Sequence, residues 1–306
     1  MTIQQCKYVL EIVKTGSFSQ AAKQLFVAQS SLSVSIKSLE QELNIKIFKR
    51  SGNGVFLTEE GSEFVRYASR ICQDSDFVER RYSTGSVQEK LFIATQHYDF
   101  VADIFCAYLN TVSADRFQLA LKEIKTHNVI YEVEMAYSDI GIIAIKDRDY
   151  DIMKRYLAKK RLSFTPLLKA YPHVFFRREH PLSQSENLQI SDLKSYPYVS
   201  YEQGEHNSAF FTEELTEIAD VDKHIQISDR ATLMNLLLVT DAYTVGTGIM
   251  PSALNRGNIV SIPLDTDDFY HIGYLLNEDR KISPATYQFI ETMKESMKKY
   301  HAEVQK

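Results

Sequence analysis

Two kinds of hydrophobic spacing run along this 306-residue chain, and the change from one to the other divides it. Through residues 16–82 the apolar positions recur three or four apart. Ser17 with Gln20 three residues on is a capping-box pattern, and Ala21, Ala22 and Leu25 follow at helical spacing. After a break at Phe26-Val27-Ala28, Leu32, Ile36, Leu39 and Leu43 place one apolar stripe along a second helix. Asn44 then stands where a left-handed cap is expected, and two short extended runs flank Gly52-Asn53-Gly54, which predicts a hairpin wing. Thr58 precedes Glu59 and Glu60, the charge sign that a helix start favours. Phe64, Tyr67, Ile71 and Val78 form a heptad-like stripe interrupted near Asp74, so a long helix is expected out to about Tyr82 and an end at Thr84-Gly85-Ser86.

From residue 89 short apolar runs alternate with helical ones. "LFIATQ", "FQLALKEIK" and "DIGIIAI" are strands separated by helices, which implies a parallel sheet with crossovers. A second set, with "PHVFFR", "PYVSYE", "KHIQIS" and "AYTVGTGIM", begins near Thr165, while "FYHIGYLLNE" and the last helix return to the first set. Two α/β lobes joined by crossings near residues 164 and 268 leave a cleft between them. Ligands on such sheets sit beyond the carboxyl ends of strands. Those ends offer Thr95, Gln96, His97, Lys125 and Thr126 in one lobe, and Ser200, Tyr201, Ser228, Gly246 and Thr247 in the other. This set of hydroxyls, amides and one lysine suits a small metabolite bearing a carboxylate.

Composition changes this picture in three ways. With 44% hydrophobic and 25% charged residues, the chain has average globular usage and no repeat signature. No run approaches the ~20 apolar residues that span a membrane, and the N-terminus lacks the pattern of an export signal. A cytoplasmic protein with no membrane partner is therefore expected, with Cys6, Cys72 and Cys106 as reduced thiols. The net charge of −5 is unevenly spread: residues 1–58 hold seven basic and three acidic groups, +4, which leaves −9 for the remainder. A basic head on an acidic body points to a polyanion met by the head alone.

On the second helix of that head, Gln29, Ser30, Ser33 and Lys37 share a face about 120° from the apolar stripe. Such groups pair with base edges and phosphates when a helix enters the major groove. Lys46, Lys49 and Arg50 approach the wing, placed to neutralise phosphates or to enter a minor groove. The candidate DNA contacts are Ser17, Gln29, Ser30, Ser31, Ser33, Lys37, Lys49, Arg50 and Asn53.

The matches Phe18-Ser19, Ala21-Ala22, Leu25, Gln29 to Ser33, Ile36, Leu39-Glu40, Leu43, Ile47-Phe48, Arg50 and Leu57-Thr58 before Gly61 closely resemble the N-terminal domain of LysR-type transcriptional regulators. Ala28, Asn44 and Val34 depart from it, at places where the family usually has a capping Ser or Thr, a Gly and an Arg. The acidic body resembles that family's regulatory half. The resemblance implies an N-terminal all-α winged helix-turn-helix (1–58), a long linker helix (59–88), and an α/β two-lobed effector-binding domain (89–306) like a type 2 periplasmic binding protein. Its first lobe is expected at 89–164 and 268–306, its second at 165–267. It further implies a homodimer or homotetramer on dyad-symmetric promoter sites in double-stranded DNA, an effector in the cleft, and RNA polymerase as a further partner.

Three function classes compete on these patterns. A solute-binding transport component explains only the lobes. An enzyme needs a catalytic constellation, and there is no Gly-x-Ser-x-Gly elbow or P-loop; Gly246-Thr247-Gly248 lacks the third glycine of a dinucleotide fingerprint, and the eight histidines have no metal-ligand spacing. No cofactor is expected. A DNA-binding, ligand-sensing regulator explains head, linker and lobes together. The second lobe, around "YVSYEQGEHNSAFF" and "VGTGIMPSALN", faintly resembles regulators of cysteine and methionine genes, an alternative that narrows the effector to sulfur-assimilation intermediates.

Overall fold

A computed structural model of the protein describes residues 1–51, 54–82, 89–202, 222–251 and 257–304. The chain divides into two compact units, Met1–Gly85 and Ser86–Lys306.

In the first unit, α1 (Ile3–Thr15) starts at Thr2, whose side chain exchanges capping bonds with Gln5, and ends at Gly16 with φ of 65°. This full capping box lies one helix earlier than the one the sequence pattern predicts. Ser17 caps α2 (Phe18–Gln24) by accepting the Gln20 amide at 3.4 Å. α3 (Gln29–Leu43) buries Leu32, Ile36 and Leu39, and Asn44 closes it in the expected left-handed conformation, φ 52°. These residues pack on Cys6, Val9 and Ile12 of α1 and on Ile47 in one continuous core. β1 (Phe48–Ser51) and β2 (Gly54–Leu57) form the antiparallel wing, Phe48 opposite Leu57.

α4 (Glu59–Tyr82) is capped by Thr58, which accepts the Gly61 amide at 2.8 Å. Among the described residues its buried apolar side chains are Phe64, Ala68 and Cys72, four apart, against the α1 core. The predicted stripe splits instead of holding together: Phe64 is buried, whereas Tyr67 and Val78 are 59% and 52% exposed. The small residues Ala68 and Cys72 decide this, because residues four apart share one helix face and small ones let two helices approach closely.

The second unit opens with β3 (Glu89–Thr95), α5 (Asp99–Leu109), β4 (Phe117–Glu123), α6 (Thr126–Glu134), β5 (Ile140–Lys146), α7 (Tyr150–Lys159) and β6 (Leu162–Ala170). The second lobe follows with β7 (His173–Arg177), α8 (Ile190–Leu193), β8 (Tyr198–Tyr201), β9 (His224–Ile227), α9 (Arg230–Val239), β10 (Thr244–Gly246) and β11 (Ile259–Pro263). β12 (Tyr270–Asn277) and α10 (Pro284–Val304) return to the first lobe, where Phe289, Met293 and Met297 of α10 join the core.

The first lobe's sheet has the order β4-β3-β5-β12-β6, with β4, β3 and β5 parallel and β12 antiparallel to both its neighbours. In the second lobe β10-β7-β11 is antiparallel, and β8 pairs with β9 in parallel. The first crossing comes after Ala170 rather than near residue 164. β6 carries Pro166 in its middle, a residue that reads against a central strand. The sheet accommodates it because β6 lies at an edge and the register shifts beside it, between Ile272 and Gly273 of β12. No helix among the described residues is long and apolar enough to cross a membrane.

Candidate nucleic-acid interface and effector cleft

In the first unit, burial of Leu32, Ile36 and Leu39 turns the other side of α3 outward. Gln29, Ser30, Ser31 and Lys37 are exposed there and Ser33 is half-buried. Lys49 is exposed on β1, Arg50 lies on the same strand, and Asn53 falls outside the described residues. Ser17 is placed differently, since its side chain serves the α2 cap. Ala28 makes no side-chain cap for α3. Ala28→Ser is therefore expected to stabilise the chain by about 0.5–1 kcal/mol, read as a higher urea midpoint with unchanged slope.

Glu40, near the end of α3, was visible in sequence only as one of the family matches. It is buried, and its Oε1 accepts the backbone amides of Ile47 at 2.8 Å and Phe48 at 3.2 Å, while Oε2 meets Lys46 Nζ at 3.0 Å. Burial works against its charge, yet the Lys46 ammonium and the two amides outweigh it and hold the carboxyl below the usual range. One carboxylate thus fixes the angle between α3 and the start of the wing.

In the second unit, a cleft open to solvent lies between the lobes. His97, Ser200, Tyr201, Gly246 and Thr247 line it, together with an apolar floor that includes Phe100, Phe175, Leu233 and Ile249. The His97 and Tyr201 rings stack across the cleft, with centroids 4.3 Å apart. Gly246 is required by contact: a Cβ there would sit 2.2 Å from the Phe175 ring.

The other candidates lie elsewhere. Gln96 is fully buried inside the first lobe; its amide donates to Thr126, and its oxygen accepts from the Tyr98 hydroxyl at 2.8 Å and the Ala144 amide at 2.7 Å. Both Gln96 and Thr126 are therefore committed to holding strand ends together. Thr95 is fully buried at the end of β3, and its hydroxyl has no hydrogen-bond partner among the described residues. Lys125 pairs with Glu202 of the other lobe at 2.8 Å and does not line the cleft. Ser228 is exposed, also off the lining.

The residue that the strand-end rule missed is Arg230, two beyond Ser228. It opens α9, behind the Asp229 cap, and reaches the first lobe, where it meets Asp99 at 2.7 Å and Glu123 at 3.0 Å. Burial lifts the Asp99 carboxyl above its ordinary range although Arg230 opposes that rise. Arg230 lies more than a hundred residues beyond both carboxylates, so no local spacing could have found the cluster.

A winged helix-turn-helix with a basic outer face, joined in one chain to a two-lobed α/β domain with a cleft between its lobes, is the domain arrangement of a LysR-type protein. The chain belongs to the LysR family: residues 3–62 match the bacterial regulatory helix-turn-helix protein model of that family, and residues 116–298 match the LysR substrate binding domain. Among relatives, it is 30% identical over 220 residues to the HTH-type transcriptional regulator cbl of Escherichia coli (strain K12), covering 67% of this chain and 63% of the other. It is 27% identical over 213 residues to a "Probable nitrogen assimilation transcriptional activator" of Synechocystis sp., covering 67% of this chain and 64% of the other. The matches thus span just under two thirds of these relatives' length. Among solved structures, full-length CbnR complexed with its target DNA superposes with a TM-score of 0.65 at 16% identity, covering 97% of this chain and 100% of that one.

Proposed function

We propose that the protein binds dyad-symmetric promoter sites in double-stranded DNA as a homodimer or homotetramer, and that a small metabolite bearing a carboxylate, held in the inter-lobe cleft, modulates this binding. RNA polymerase is the partner through which a change in promoter occupancy acts. The observation that carries the reading is the cleft itself: hydroxyls of Ser200 and Thr247 and the His97 imidazole surround an apolar floor. Few polar groups on an apolar wall is the usual make-up of a small-molecule site. The Lys125–Glu202 pair, the Arg230 pairs and the His97–Tyr201 stack all join the two lobes, so a ligand that alters lobe separation acts on contacts already in place.

The pathway sensed is a narrower matter. The sulfur reading and the nitrogen assimilation activator among the relatives call for different metabolites, so the screen spans amino acids, acyl-serines and small organic acids. A ligand at 100-fold its dissociation constant adds about 2.7 kcal/mol of stability, visible as a rise in the melting temperature of the full chain. Thr247→Ala is expected to weaken that ligand about tenfold, the cost of one buried hydrogen bond. A ligand that stabilises wild type and the variant equally binds outside the cleft and sinks the assignment.

A further inference from the structure

The outermost point of α3 is apolar. Leu32, Ile36 and Leu39 are buried, and at 100° per residue Val34 lies almost opposite the centre of the stripe they form. It is 68% exposed, with Ser30 one turn before it and Lys37 and Ser38 one turn after. Single exposed apolar side chains are ordinary on a protein surface. Val34 differs because it stands at the middle of a face otherwise made of hydroxyls, amides and a lysine. A β-branched residue also gains nothing for an exposed helix position compared with its polar neighbours.

We infer that Val34 is a specificity-determining residue that packs on the 5-methyl group of a thymine in each half-site. This deepens the reading of α3 as the helix that enters the major groove and rests on it. The chemistry is selective because a valine offers no hydrogen bond, and the thymine methyl is the one apolar group that a base pair presents on the major-groove floor. Ser30 and Lys37 on either side then take base-edge or phosphate contacts, while Val34 accounts for a base pair they do not read. The neighbours are short or flexible, so the isopropyl group can reach the groove floor without a clash.

The test uses the full chain. Binding sites are first selected from a random duplex pool. The best site is then titrated by fluorescence anisotropy with each thymine changed singly to deoxyuridine, which removes one methyl group and nothing else. Wild type is expected to lose about fourfold in affinity at one thymine of a half-site, the worth of one buried methyl group. Val34→Ala is expected to bind the thymine and deoxyuridine duplexes alike at that position while keeping the wild-type melting temperature. The inference is overturned if wild type tolerates deoxyuridine at every position, or if Val34→Ala shows the same penalty. A protein that selects no sequence at all overturns the recognition-helix reading itself, a result distinct from sequence selection without methyl dependence.

Discussion

Arg230→Ala is expected to lower the melting temperature of the larger unit by about 4–8 °C at pH 7 and to lose much of that deficit near pH 4.5. The variant leaves Asp99 and Glu123 facing a site that no longer contains a cation. Removing one partner of a fully buried pair costs about 3–5 kcal/mol. The Arg230 side chain is 26% exposed, so we expect about 2 kcal/mol, and a unit of this size shifts by about 2–4 °C per kcal/mol. The pH dependence follows from Asp99. Burial has already raised its carboxyl, and Arg230 is the group opposing that rise, so its loss moves the folded-state value further above the unfolded one. A raised carboxyl costs the folded state nothing once it is protonated, and the full cost appears as pH climbs through the folded-state value. The deficit is therefore large at neutral pH and shrinks in acid. Arg230→Lys keeps the charge but not the fork that serves two carboxylates, so it recovers only part of the loss. Melting curves at both pH values check this; a deficit that does not change with pH means that Arg230 acts by packing alone.

What the sequence disclosed and what it hid both follow from how far apart the partners lie. Ser17, Asn44 and Thr58 were legible because a cap is a contact within a few residues, and each is found in its expected cap. The α3 stripe was legible for the same reason. Along α4 the heptad stripe divides between two lines: Phe64 packs with Ala68 and Cys72 on the α1 core, whereas Tyr67 and Val78 stay exposed, and the periodicity could not say which line would meet α1. Of the residues read from strand ends, His97, Ser200, Tyr201, Gly246 and Thr247 line the cleft, because alternation fixes where a strand stops. Gln96 and Thr126 stand at the same strand ends, but a buried polar side chain must first satisfy its neighbours, and these two satisfy each other. Arg230 joins β4 and α5 across the cleft, a pairing that exists only once both lobes are folded.

Glu40→Ala is expected to cost the first unit about 2–4 kcal/mol and to abolish detectable DNA binding at moderate salt. The substitution strands two backbone amides, those of Phe48 and of the fully buried Ile47. Each unsatisfied buried donor costs about 1–3 kcal/mol, and a domain of this size holds only about 5–10 kcal/mol in total. Lys46 contributes little by itself, because its side chain is 71% exposed and such pairs are worth under about 1 kcal/mol. Lys46→Ala therefore serves as the mild control, and Glu40→Gln, which keeps an oxygen for the amides, as the intermediate. Glu40 also leaves a pH signature of opposite sign to that of Asp99. Its carboxyl is held below the ordinary range in the folded state, so its contribution is complete above the unfolded value of ~4.3 and is lost as pH falls through the folded one. Wild type should thus lose stability in acid more steeply than Glu40→Gln, which has no proton to bind there. Urea titrations at pH 7 and pH 3.5 separate the two. Parallel losses would show that the clasp is only a neutral hydrogen bond, and DNA binding that survives in Glu40→Ala would show that the wing and α3 find their mutual angle without it.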